Sequence, residues 1–136
     1  MKQVFVDAGA LFAYAAPSDP NHEKARAIMH IARSRGWRLH TVNTVLFETY
    51  ALVRVKVADG EAAAHRLLAD VEAGFCHVEK AQRVDEIRAE DLVESRPDLP
   101  NSFADALTFA VMDRLGIREV ISFDRRIQEY GDVKVV

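Results

Sequence analysis

The chain has 136 residues, 49% of them hydrophobic and 29% charged, proportions that suit one compact domain with its own core. A single cysteine excludes an internal disulfide and a cysteine-built zinc site. The net charge of −3 argues against a sequence-independent grip on duplex nucleic acid. It still leaves room for a nucleic-acid enzyme, because a cluster of metal-binding carboxylates lowers the total by itself.

No apolar run approaches the ~20 residues a membrane span requires, and no cationic start leads into an apolar signal core. The expected location is therefore cytoplasmic. Along the chain, Gln3-Val4-Phe5-Val6 is a short β-prone run ending at Asp7. The small and apolar stretch Ala8–Ala15 follows, broken by Pro17-Ser18-Asp19-Pro20. Between Asn21 and Arg35, Ala25, Ile28, Met29 and Ala32 recur at helical spacing, and Gly36 marks the stop. Trp37–Val42 reads as a second strand, Val45–Val57 as an apolar helix closed by Asp59-Gly60, and Glu61–Ala73 as a further helix. Phe75–Val78 is a third strand, Gln82–Glu94 a charged amphipathic segment, and Pro97 and Pro100 bracket a loop. Ser102–Leu115 is a helix ended by Gly116, and Glu119–Phe123 a fourth strand. A short helical turn from Arg125 and a last strand, Val133–Val136, complete the chain.

Short strands, apolar on both faces and alternating with helices, are the pattern of a parallel sheet covered by helices. The predicted fold class is α/β, a three-layer α/β/α sandwich with a parallel sheet of about five strands, forming a single domain over residues 1–136 with no repeat and no linker.

In open α/β sheets, sites form beyond the carboxyl ends of the strands. Asp7 follows the first strand and Asp124 the fourth, so parallel strands would bring both to one edge; each is equally suited to cap the helix after it. Asp105 has the Ser-x-x-Asp spacing of a capping box with Ser102, yet lies in a first helical turn between the small residues Ala104 and Ala106. Glu48 interrupts Val45–Val53, a helix apolar nearly all round and on that pattern buried. A buried carboxylate needs a partner, either an arginine such as Arg54 or a divalent cation. Together, three Asp and one Glu would offer the hard oxygen ligands that magnesium and manganese select. A shared cation would also relieve their repulsion and promote attack of water on a phosphodiester.

Val4-Phe5-Val6-Asp7, Glu48 within Val45-Leu46-Phe47-Glu48, Ser102-Phe103-Ala104-Asp105-Ala106 and Ser122-Phe123-Asp124 fall in the order and approximate spacing of PIN domains. Over essentially its whole length the sequence resembles the VapC-like toxin ribonucleases of toxin–antitoxin modules. The resemblance implies a five-stranded parallel sheet between helices and Mg2+- or Mn2+-dependent endoribonuclease cleavage, usually of structured RNA. It also implies a homodimer and a cognate antitoxin that holds the toxin inactive. It makes Asp7 and Asp105 direct metal ligands, with Glu48 and Asp124 completing the shell directly or through water. Two departures stand out: Ala8-Gly9 and Ala104 occupy positions where relatives often carry a hydroxyl or amide that would orient the ligands. These departures motivate an alternative reading, a catalytically weakened PIN-like domain that binds RNA or protein.

The remaining chemistry-bearing residues point elsewhere less strongly. His22, His30, His40, His65 and His77 show no metal-ligand spacing, Cys76 reads as a small buried hydrophobe, and Glu79–Arg96 reads as a solvated helix of mixed charge. No Gly-rich phosphate loop exists, and no suitably placed Lys follows the fourth or fifth strand, as a phosphatase or receiver domain requires. Arg54, Lys56, Arg125 and Arg126 are candidates to grip RNA phosphates beside the carboxylates. On the short helix after Asp7, Leu11, Phe12 and Tyr14 are read mainly as core residues, with a partner surface as the alternative.

Overall fold

The computed structural model describes residues 1–99 and 102–136. Pro100, expected to close a loop, and Asn101 lie outside the described residues. Five strands form one sheet: β1 (Gln3–Val6), β2 (Arg38–Val42), β3 (His77–Glu79), β4 (Glu119–Ile121) and β5 (Lys134–Val135). Their order is β3-β2-β1-β4-β5, and every pairing is parallel. Six α-helices connect them: α1 (Ala8–Ala15), α2 (His22–Ser34), α3 (Asn43–Lys56), α4 (Gly60–Glu72), α5 (Arg83–Ser95) and α6 (Phe103–Leu115). A short 3-10 helix, Arg125–Tyr130, precedes β5. The expected α/β sandwich is thus the observed one.

The central strand shows why the sheet carries helices on both sides. Val4, Phe5 and Val6 are all fully buried, although successive side chains point to opposite faces. Strand bounds differ from the expected ones at β3 and β4. β4 stops at Ile121 rather than Phe123, because Ser122 turns the chain, its Oγ accepting from the Asp124 N–H at 3.1 Å. β3 runs Glu-ward to Glu79 and omits Phe75 and Cys76, since its ladder partners on β2 begin at His40.

Helix α3 corrects one expectation. It is not buried all round: Phe47 is 61% and Val55 82% exposed, and Leu52 is also open to solvent. Its buried side, Val45, Leu46, Thr49 and Val53, is a narrow stripe. Part of that stripe faces α4, where Gly60 sits so close that a Cβ there would lie 2.4 Å from the Arg54 carbonyl oxygen.

Helix α5 corrects another. It is not merely a solvated face, because Asp85 is buried and receives two hydrogen bonds from Arg114 of α6, Nε to Oδ1 at 2.8 Å and Nη2 to Oδ2 at 3.0 Å. The Gln82 N–H adds a third at 2.9 Å, and Arg114 also reaches Glu79 at 3.3 Å. Burial raises the Asp85 carboxyl, but the Arg114 and Gln82 hydrogen bonds and the Arg114 charge outweigh it and hold the group below its ordinary value of 3.8. This clasp anchors the far end of the helix whose first turn carries Asp105. Arg114→Ala, which strands the buried Asp85 charge, is expected to cost about 3 kcal/mol in urea denaturation at neutral pH. Because the folded carboxyl is held low, the clasp's contribution is complete above roughly pH 4 and disappears as pH falls further, so the wild-type and variant curves should converge in acid.

Candidate active site

The sheet reverses direction of growth between β1 and β4, and crevices form at such a switch point. The β1–β4 ladder, Phe5 with Val120 and Val6 with Ile121, runs one step past the strand: the Asp7 N–H donates to the Ile121 carbonyl at 3.2 Å. That bond fixes Asp7 at the carboxyl edge of the central strand. Its Oδ1 accepts from the Ala10 N–H at 2.8 Å and so caps α1. Only 4% of the residue is exposed. The capping role and the site role, posed as alternatives by the sequence, belong to one side chain.

Asp105 is the third residue of α6, and its N–H donates to the Oγ of the N-cap Ser102 at 3.3 Å. Asp124 caps the 3-10 helix, accepting from the Arg126 N–H at 3.0 Å. The Arg126 guanidinium also clasps it, Nε to Oδ1 at 2.9 Å and Nη2 to Oδ2 at 2.6 Å. Asp7, Asp105, Asp124 and Glu48 all line one open cavity of about 600 Å3, together with Thr49, Lys56 and others.

The three aspartates sense one another. Burial pushes the Asp7 carboxyl up to about 6; the Ser122 hydroxyl and the Ala10 N–H oppose the rise, and the charges of Asp105 and Asp124 add to it. Asp105 is raised by burial and then by Asp124, with Arg126 opposing. Asp124 alone is held low, because hydrogen bonds from Arg126 outweigh its partial burial. The site is therefore a pocket of negative charge with two carboxyls uncompensated.

Glu48 departs from the expectation. It is exposed at the rim, it needs no buried partner, and among the described residues it forms no ion pair with Arg54 or any other cation. The reason is the open outer face of α3. Arg126 departs as well: it lies on Asp124 rather than offering a free cation to phosphate. Among the described residues, no three His, Cys, Asp or Glu side chains are arranged to hold one metal ion. In this arrangement the Asp124 carboxylate is held by Arg126, while Glu48 lines the same cavity as the three aspartates. Of the expected phosphate grips, Lys56 lines the cavity, while Arg54 and Arg125 do not.

Two polar residues escaped the sequence reading. Ser122 supports the Asp7 carboxylate, and buried Thr49 lines the cavity one residue past Glu48. A serine two residues before an acid at a strand end is a legible turn signal; nothing in the sequence distinguishes Thr49. A Cβ on Gly9 would sit 3.8 Å from Asp7 Oδ1, an ordinary contact, so a side chain fits there and the glycine supplies no side-chain donor of its own to the carboxylate. Elsewhere, burial pushes the Cys76 thiol up to about 12, as befits a hydrophobe. His40 and His77 meet edge to face at 5.4 Å, outside the site.

The family model of the PIN domain matches residues 4–133. The chain belongs to the PIN domain family. Among solved structures, the PIN domain is similar to the crystal structure of Mycobacterium tuberculosis VapC20, a Sarcin-Ricin loop cleaving toxin. The two are 28% identical with a TM-score of 0.81, and the match covers 96% of each chain. It shares its fold with PAE2754 of Pyrobaculum aerophilum, at 21% identity and a TM-score of 0.64, covering 99% of this chain and 84% of the other. No curated protein sequence matches the chain.

The buried Asp7 charge strains this PIN domain. A carboxyl whose folded value is raised from 3.8 to about 6 binds its proton more tightly in the fold, so stability declines as pH rises through that window and the full cost applies above it. Asp7→Asn keeps an oxygen for the Ala10 N–H and removes the charge. It should stabilise the metal-free protein by roughly 3 kcal/mol at pH 7.5 and by almost nothing at pH 4. Equal stability of variant and wild type at pH 7.5 in chelator would show that the charge is not confined.

Proposed function

We propose that this PIN domain is a metal-dependent endoribonuclease, the toxin of a VapBC-type toxin–antitoxin module. One observation carries the reading: an aspartate at the β1–β4 switch point is raised chiefly by its burial, and further by two aspartates that line the same cavity. Membership of the PIN family and the likeness to VapC20 support a nuclease. The donor set suits a hard divalent cation, since carboxylate oxygens are its preferred ligands and the unrelieved charge on Asp7 and Asp105 is what such an ion would offset.

On this reading Asp7 and Asp105 hold Mg2+ or Mn2+ directly, and Glu48 and Asp124 complete the shell or orient water. The bound ion would supply an acidified water and offset charge on the pentacovalent phosphate. Asp7 is placed by backbone hydrogen bonds and Asp105 by its helix start, so neither needs to reorganise. Arg126 must leave Asp124 for that carboxylate to join them. It is exposed, so the pair is exchanged at little cost, and the freed guanidinium is then available to an RNA phosphate. Lys56 lies on the cavity wall as a second cation. No helix among the described residues is long and apolar enough to cross a membrane, and the reading keeps the protein in the cytoplasm. The exposed apolar side chains Phe47, Leu52 and Val55 on α3, and Val84 and Ile87 on α5, favour a homodimer and an antitoxin that covers them.

A weakened PIN domain that binds RNA without turnover is the second reading, favoured by Ala8-Gly9, Ala104 and the Arg126 clasp. Cleavage assays on an RNA carrying the Sarcin-Ricin loop, the element named for VapC20, separate the two. Asp7→Asn and Asp105→Asn are each expected to lower Mn2+-dependent cleavage by about 100-fold or more while the fold survives. Undiminished cleavage by the purified variants would defeat the assignment, and RNA binding without cleavage at saturating Mn2+ would favour the second reading. Mn2+ should also raise the melting midpoint of the wild type in proportion to log concentration and leave Asp7→Asn unmoved.

A further inference from the structure

A second cavity, of about 310 Å3, opens near the opposite ends of the strands, where α2 leads into β2 and α4 into β3. It shares no lining residue with the carboxylate site. Three large aromatic side chains converge on it. Tyr14 and Phe75 stack at 4.4 Å between ring centroids, inclined by 16°, and Trp37 is the only tryptophan of the chain. All three are half-buried and pack against the core on one side, and the Lys2 ammonium lies over the Trp37 ring at 4.0 Å from its centroid.

The polar lining is equally particular. Arg26 and Arg33 project from one side of α2, two helical turns apart, and both are exposed. The Arg26 guanidinium lies over the Tyr14 ring at 5.4 Å. Among the described residues neither arginine has a carboxylate partner, in a chain whose acids otherwise collect arginines readily. Asp70 is the one acid of the lining, and its Oδ2 accepts from the Tyr14 hydroxyl at 2.9 Å, which leaves further acceptor capacity. Burial and Asp70 push that hydroxyl up to about 12, with Arg26 and Arg33 opposing, so it stays a donor at every physiological pH.

A cavity with an aromatic wall, two unpaired guanidiniums and one carboxylate acceptor matches a ligand with a flat π-face, an anionic group and hydroxyl donors. An inorganic anion would have no use for the aromatic wall, and an apolar side chain none for the guanidiniums. We propose that this cavity binds a nucleotide, with the base against Tyr14, Trp37 and Phe75, the phosphate on Arg26 and Arg33, and a ribose hydroxyl donating to Asp70. The nucleotide is either free or an unpaired residue of an RNA. The second source rests on the nuclease reading above, and makes the cavity an anchoring subsite for an RNA whose scissile bond lies at the other edge of the sheet.

Trp37 makes the cavity directly observable, because all tryptophan emission of the full chain arises there. Titration with AMP or UMP, or with a short single-stranded RNA on the Asp7→Asn background to prevent cleavage, should change that emission saturably. Arg26→Ala and Arg33→Ala, at exposed positions, should each weaken the response about tenfold or more while far-UV circular dichroism is unchanged. Inorganic phosphate alone should leave the emission unaltered. A response to RNA and not to mononucleotides identifies RNA as the source, and Arg33→Ala should then raise KM for cleavage and leave kcat untouched. Equal responses identify a free nucleotide. No saturable change with any nucleotide or RNA, or the same change with phosphate alone, overturns the proposal. Failure of the nuclease reading is seen separately, as cleavage that survives Asp7→Asn.

Discussion

A carboxylate confined at the end of the central strand is the constraint around which this molecule is arranged. Asp7 cannot retreat from its place, because its N–H extends the β1–β4 ladder and its Oδ1 starts the following helix. Water cannot reach it freely, since only 4% of it is exposed. Neighbouring acids then raise it further instead of relieving it. Desolvation and like charge both oppose the ionised form, and only hydrogen bonds from Ser122 and Ala10 support it. Such an arrangement costs stability in the isolated chain, as strained ionisable groups at functional sites do.

Two arginine–aspartate pairs in the same fold show how burial changes the meaning of one chemical contact. Arg114 on Asp85 is enclosed between α5 and α6, accompanied by a backbone donor, and holds the helices in register. Removing one partner there strands a charge in the interior. Arg126 on Asp124 has comparable or shorter contacts but lies in solvent, where screening and side-chain entropy erase most of the gain. The first pair is architecture, whereas the second adds little to stability.

The two ends of the sheet carry opposite chemistry. At the carboxyl edge, acids from β1, α6 and the β4 turn face a cavity with Lys56 on its wall. Toward the other edge, guanidiniums of α2 face aromatic rings. The net charge of −3 conceals this division, since a total says nothing of its distribution.

The parallel sheet, the alternation of elements and the four acids that come to line one cavity were legible in the amino-acid order. Strand and helix propensity and helix capping are set locally, and Asp7, Asp105 and Asp124 sit at the starts of helices or turns that their own sequences specify. What the order could not disclose is which face of an apolar helix meets the core. Hydrophobicity alone placed Glu48 in the interior, while packing turned it outward with Phe47 and Val55. Nor could it disclose that Arg126 would fold back on Asp124, or that Asp85 would meet Arg114 across 29 residues. The convergence of Tyr14, Trp37, Phe75 and Asp70 is likewise a product of three separate chain crossings. Local propensity acts between residues a few positions apart, whereas burial and ion pairing depend on which surfaces compete for the same core, and that competition is settled only when the whole chain closes.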